Sequence, residues 1–131
     1  MNDYTPKEYD ECLAFSEWLK LNKIPHHHIA NESQSGNRNA VIRGAKLKRM
    51  GQSRGYWDYD VYIPVKGVIG ETDCYELVKI EMKRKKGGAV SKEQKEWQII
   101  YEKAGIQCKI CHGADEAIAF IKNLYTEINS N

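Results

Sequence analysis

A mixed α/β sheet with helices on both sides is predicted by three observations. Residues 57–65 and 74–83 are two strand patterns joined by a glycine-containing stretch, and they read as an antiparallel hairpin. A helix with its own start signal and a further short strand pattern follow that hairpin. A final amphipathic helix closes the series, and a strand-helix-strand-helix run attached to a hairpin gives a mixed sheet covered on both faces.

The elements follow in order. Thr5-Pro6-Lys7-Glu8 starts a helix over residues 6–21: Thr5 caps it, Pro6 takes the first helical position, and Cys12, Phe15, Trp18 and Leu19 recur at helical spacing. Residues 27–30 read as a short strand and 31–39, rich in Asn, Ser and Gly, as an exposed loop. A short basic helical turn or irregular stretch is expected over 45–50, ending at Gly51. In 57–65, Tyr59, Val61 and Ile63 share one face, Asp58, Asp60 and Tyr62 the other, and Pro64 closes the strand. Residues 66–72 turn the chain back into 74–83, which Gly87-Gly88 ends. Ser91-Lys92-Glu93-Gln94 is a capping box, and Trp97, Ile100, Tyr101 and Ala104 form the predicted buried stripe of the helix that it opens. Residues 106–111 make a strand, and Ala117, Phe120, Ile121 and Leu124 line a last helix starting near Ala114 or Asp115.

With 131 residues, 41% of them apolar, the chain is expected to form one domain. It has no apolar run near the ~18 residues of a membrane span, and its first twenty or so residues are acidic and amphipathic, so a cytoplasmic protein is expected. The net charge of +2 excludes a uniformly basic polyanion binder. The basic residues are nonetheless clustered, with Arg43, Lys46, Lys48, Arg49 and Arg54 in one segment and Lys83, Arg84, Lys85 and Lys86 in another. Such patches suit phosphate contacts or a solvated face. Cys108 and Cys111 have the spacing of a metal pair, but an offset of three on a strand sends them to opposite faces, and no second pair exists. His26-His27-His28 are consecutive on a strand and so cannot all converge on one ion.

Glu81-Met82-Lys83 ends the apolar run Leu77, Val78, Ile80. Glu81 and Lys83 share a strand face, and the hairpin brings Asp58 or Asp60 near Glu81. Two carboxylates at adjoining strand ends repel unless a cation lies between them, and oxygen ligands suit Mg²⁺ or Mn²⁺. Lys83 would orient or help to deprotonate a water there. By spacing alone, a structural cross-strand ion pair is the simpler explanation.

The flanking residues add to this. The run from Ile80 through Glu81-Met82-Lys83-Arg84-Lys85-Lys86-Gly87-Gly88 to Ser91-Lys92-Glu93-Gln94-Lys95-Glu96-Trp97, followed by Ala104-Gly105 and Gly113-Ala114-Asp115-Glu116-Ala117, resembles the VRR-NUC family of the PD-(D/E)XK nuclease superfamily. Gly44-Ala45-Lys46-Leu47-Lys48-Arg49-Met50-Gly51 and Gly55-Tyr56-Trp57-Asp58 are similar too, so the resemblance covers at least 44–124. It implies a restriction-endonuclease-like sheet and a Mg²⁺- or Mn²⁺-dependent nuclease. Asp58, Glu81 and the Met82 carbonyl would bind metal, Lys83 would position the attacking water, and Gln94 would be the helix glutamine beside the site.

Two departures leave choices open. The family usually has Pro before its acid, where this chain has Trp57; Asp58 is favoured by the Gly55-x-x-Asp58 spacing, with Asp60 as the alternative ligand. Related nucleases also supply a glutamate from the first helix, for which Glu8 is the candidate and Glu11 the second. Lys46, Lys48, Arg49, Arg54, Arg84, Lys85 and Lys86 would hold the DNA backbone. Small stand-alone members, often phage-borne, resemble dimeric Holliday-junction resolvases, which implies branched DNA and a homodimer. A flap, nick or general endonuclease and a non-catalytic nucleic-acid-binding module are the competing expectations.

Overall fold

Tyr59, Val61 and Ile63 are buried while Tyr62 between them is exposed, the period-two burial of a strand packed on one side. In the computed structural model, which describes residues 7–29 and 38–130, the chain runs α1 (Glu8–Leu21), β1 (His26–His28), α2 (Arg38–Arg49), β2 (Tyr59–Lys66), β3 (Thr72–Lys83), α3 (Lys92–Lys103), β4 (Gln107–His112) and α4 (Ala114–Asn129). The strands form one sheet in the order β1-β2-β3-β4. Neighbours among β1, β2 and β3 are antiparallel and β4 is parallel to β3, so the sheet is mixed as predicted. A parallel pair needs a crossover connection, and α3 supplies it.

The two faces of the sheet differ in chemistry. On one, Phe15 and Leu19 of α1 and Ala117, Ile121 and Leu124 of α4 pack with Tyr59, Val61, Ile63, Val78, Ile80 and Met82 into a contiguous buried cluster. Each large apolar side chain removed from water there contributes about 1.5–3 kcal/mol. Phe15 meets Tyr59 edge-on with ring centroids 5.1 Å apart, and the Tyr59 hydroxyl donates to the Cys12 carbonyl at 2.9 Å, which fixes α1 over β2. On the other face α3 sets Gln94 and Tyr101 against Glu81, Trp57 and Lys79. That face mixes aromatic rings with charged and polar side chains, and it carries the candidate site.

The structure corrects several sequence-based expectations. Lys7 is extended and α1 begins at Glu8, its start held by the Lys7 N–H donating to the Asp10 carboxylate at 3.2 Å; Thr5 and Pro6 lie outside the described residues. The strand expected over 27–30 is β1, one residue earlier, and residues 30–37 are outside the description. Arg38 and Asn39 are helical, and the expected turn over 45–50 is the end of the 12-residue α2. Gly44 near the middle of α2 costs about 1 kcal/mol relative to Ala. Among the α2 positions with described side chains only Gly44 and Leu47 are half-buried, so no apolar period marks the helix.

Ile100 of α3 and Ala104 at its C-cap are exposed rather than buried. The inward line runs through Gln94, Trp97 and Tyr101, and a stripe that narrow leaves both beyond its edge. Along α4, Ala117, Ile121 and Leu124 are buried and Phe120 is half-buried against the core. No helix among the described residues is long and apolar enough to cross a membrane.

Candidate active site

The register of the hairpin builds the site. Tyr59 pairs with Ile80 and Asp60 with Lys79, which sets Asp58, directly before the start of β2, beside Glu81 of β3. The Asp58 N–H donates to Glu81 Oε1 at 3.2 Å, and the Met82 N–H donates to Asp58 Oδ2 at 3.0 Å. Each carboxylate is thereby fixed by a backbone amide of the other strand. Glu8, in the first turn of α1, reaches the same place: Glu8, Asp58 and Glu81 each bring an oxygen within 4.8 Å of the others.

Around Glu81 the supports come from two further directions. Lys83 Nζ lies 3.4 Å from Glu81 Oε2, and Gln94 Nε2 donates to the same oxygen at 2.8 Å. The other end of the Gln94 amide accepts the Ser91 N–H at 3.0 Å while Ser91 Oγ accepts the Gln94 N–H at 3.1 Å. Gln94 thus closes the capping box of α3 and orients Glu81 with one side chain. Gly55 makes this possible. Its φ is +75°, and a Cβ there would come within 2.6 Å of Glu93 Cβ and 2.8 Å of the Gln94 nitrogen, so only glycine lets the start of α3 approach this closely.

Trp57 stands directly before Asp58 and is fully buried. Its indole N–H donates to the Gln94 carbonyl at 3.0 Å and its backbone N–H to the Tyr101 hydroxyl at 3.2 Å. Where a proline would stiffen the chain, this tryptophan ties the strand end to α3.

The electrostatics are those of crowded carboxylates. Burial raises the Glu81 carboxyl well above its ordinary range and the Asp58 charge raises it further, against the opposing pull of Lys83. Asp58 is raised by burial, opposed mainly by the Met82 N–H. Glu8 is raised by burial and by the charge on Asp58. Lys83 draws all three carboxyls downward, and His28 of β1, which the sequence assigned no part in the site, does the same for Asp58 and Glu8. Three oxygen donors with too little positive charge among them fit a divalent cation, and the set holds no soft ligand.

The remaining candidates lie elsewhere. Asp60 pairs with Lys79, which is buried beneath Tyr56 with Nζ 4.0 Å from the ring centroid. Glu11 is 5% exposed and accepts the Ala114 N–H at 2.9 Å, so it caps the start of α4 across 103 positions of sequence. Of the acids considered, the structure gathers Glu8, Asp58 and Glu81. The basic candidates are exposed: Lys46, Lys48 and Arg49 on α2, Arg54 ahead of Trp57, and Arg84, Lys85 and Lys86 leaving β3 directly after Lys83, with Lys85 3.8 Å from Asp115.

A four-strand mixed sheet between helices, with acids at the ends of two adjacent strands, is a restriction-endonuclease-like architecture. The same fold occurs in a solved structure titled VRR_NUC domain protein, to which this chain is similar at a TM-score of 0.70 and 22% identity over 96% of this chain and 93% of that one. No family model matches the sequence, and no curated protein does.

Proposed function

We propose that this chain is a metal-dependent endonuclease that hydrolyses DNA phosphodiester bonds, with Asp58, Glu81 and Lys83 at its centre. The observation that carries the reading is the meeting of Glu8, Asp58 and Glu81 beside Lys83, on a fold shared with a VRR_NUC domain protein. Asp58, Glu81, the Met82 carbonyl and Glu8 would hold Mg²⁺ or Mn²⁺. When bound, such an ion lowers the pKa of water and neutralises charge on a phosphoryl oxygen.

The chain's own groups do the rest. Lys83, held at 3.4 Å from Glu81, orients the attacking water and offsets negative charge as the new oxygen–phosphorus bond forms and the bond to the leaving sugar oxygen breaks. Gln94 is a positioning residue, because it fixes the Glu81 carboxylate from the capped end of α3. Lys46, Lys48, Arg49, Arg54, Arg84, Lys85 and Lys86 hold the phosphate backbone, which makes binding strongly salt-dependent with little base readout.

The finer reading is a Holliday-junction resolvase acting as a homodimer. Two symmetric cuts require two centres, the described residues hold one such cluster, and a two-fold pair supplies the second. Four-way, flap and plain duplex DNA, incubated with Mg²⁺ or Mn²⁺, test the proposal together. Paired symmetric nicks on the junction are the expected result. Cuts confined to flaps or nicks would replace the resolvase reading with a flap endonuclease, and binding without cleavage of any substrate would leave a non-catalytic nucleic-acid-binding module.

A further inference from the structure

Beside the carboxylate cluster, on the α3 side of the sheet, lies a cleft of about 230 Å³ lined by Ile29, Gly51, Gln52, Ser53, Tyr56 and Trp97. It joins the candidate centre through three short links. Tyr56 is two residues from Asp58, the Ile29 N–H donates to the Asp58 carbonyl at 2.6 Å, and Trp97 is one helical turn beyond Gln94. The volume falls below the ~300–1,000 Å³ of sites for drug-sized ligands. It suits a single planar ring system.

The walls suit the same ligand. Tyr56 and Trp97 meet edge-to-face with centroids 4.8 Å apart, and Tyr101 stacks on Trp97 at 5.7 Å with an interplanar angle of 27°. The Lys79 ammonium lies over Tyr56, and the Trp97 indole N–H donates to the Arg54 carbonyl at 3.2 Å. The aromatic walls are therefore held in place by the fold, and rigid aromatic faces bind unstacked bases whatever their sequence. Gln52 and Ser53 bring an amide and a hydroxyl that suit the edge of a base. The lining segment is bracketed by Lys48, Arg49 and Arg54, a charge complement for the phosphates on either side of that base.

We propose that this cleft receives one unpaired nucleobase of the DNA, next to the phosphate held at the Asp58–Glu81 centre. The inference rests on the nuclease reading for its substrate, and it names a feature of that substrate: a base free of its duplex partner, as at a branch point, flap or single strand. Intact duplex offers no such base without the cost of unstacking.

The test is metal-free, in chelator, so that cleavage has no part in it. A short oligodeoxythymidylate is compared with an abasic deoxyribose-phosphate oligomer of equal length and charge. The base-bearing oligomer is expected to bind about fivefold to a hundredfold more tightly, and a 2-aminopurine placed in it should lose emission on binding. Ser53→Phe fills the cleft from an exposed loop position, and it should abolish the preference while leaving abasic binding unchanged. Trp97→Leu should also abolish it, with the fold checked by near-UV circular dichroism because Trp97 packs on Tyr101. Equal binding of the two oligomers by the native chain overturns the proposal, as does a preference that survives Ser53→Phe. A chain that prefers bases but cuts no DNA refutes only the endonuclease reading, and one that cuts DNA but ignores bases refutes only this inference.

Discussion

Two cross-strand pairs lie two residues apart on the same face of one hairpin, and they have opposite electrostatic characters. Asp60 of β2 faces Lys79 of β3, a carboxylate with an ammonium. One step along, Asp58 meets Glu81, a carboxylate with a carboxylate, and Glu8 joins them. The first pair satisfies itself; the second is left short of positive charge: burial raises both of its carboxyls, and the Asp58 charge raises Glu81 further. Equivalent backbone geometry therefore yields a structural pair at one position and a cation-binding candidate at the next. The side chain opposite each aspartate makes the difference.

The largest expected effect separates the two pairs by activity. Glu81→Gln should reduce DNA cleavage by at least about 10²–10³-fold, the scale for loss of one organising group in a charge-stabilising centre, while the metal-free protein becomes no less stable because a buried repulsion is removed. Junction cleavage and thermal melting of the same sample check both halves. Lys79→Met should do the reverse. It strands Asp60 without its partner and should destabilise the fold toward the lower end of about 3–5 kcal/mol, since Asp60 retains some solvent exposure, 23%; urea unfolding measures this.

The third prediction concerns pH. Asp58 and Glu81 have raised carboxyls in the folded chain, so between the ordinary carboxylate range and the raised value the native state holds more protons than the unfolded one. Stability of the metal-free protein should fall as pH rises through that window. Mg²⁺ should reverse the trend, giving a larger rise in Tm at alkaline than at acidic pH. Glu81→Gln should flatten both slopes. The smallest effect belongs to the support of Glu81. Ser91→Ala should cost about 1 kcal/mol through the lost cap and lower cleavage modestly by loosening Gln94, without changing the slope of stability against pH.

What was legible in the sequence was mostly local. Ser91 and Gln94 are three residues apart, and their capping box needs no partner beyond α3, so it could be read directly and is present. Alternation in β2 and the apolar run in β3 likewise predict the hairpin and the shared face of Glu81 and Lys83. Alternation could not choose between Asp58 and Asp60, because both lie on that face; the choice depends on the register, which sets Lys79 opposite Asp60. Glu11 was equally opaque, since its partner is the start of a helix 103 positions away. Helix α2 escaped because its sides are mostly exposed and Gly44 interrupts it, so neither period nor propensity announces it. The Gly55-x-x-Asp58 spacing could be seen but not explained from sequence, as its cause is the close approach of α3 to Gly55.

Binding of Mn²⁺, titrated calorimetrically into the native chain, Asp58→Asn and Asp60→Asn, tests the difference between the two pairs most directly. Binding with proton release is expected in the native chain, its loss in Asp58→Asn, and its retention in Asp60→Asn. Absence of binding in the native chain, or its loss in Asp60→Asn with retention in Asp58→Asn, would contradict that expectation.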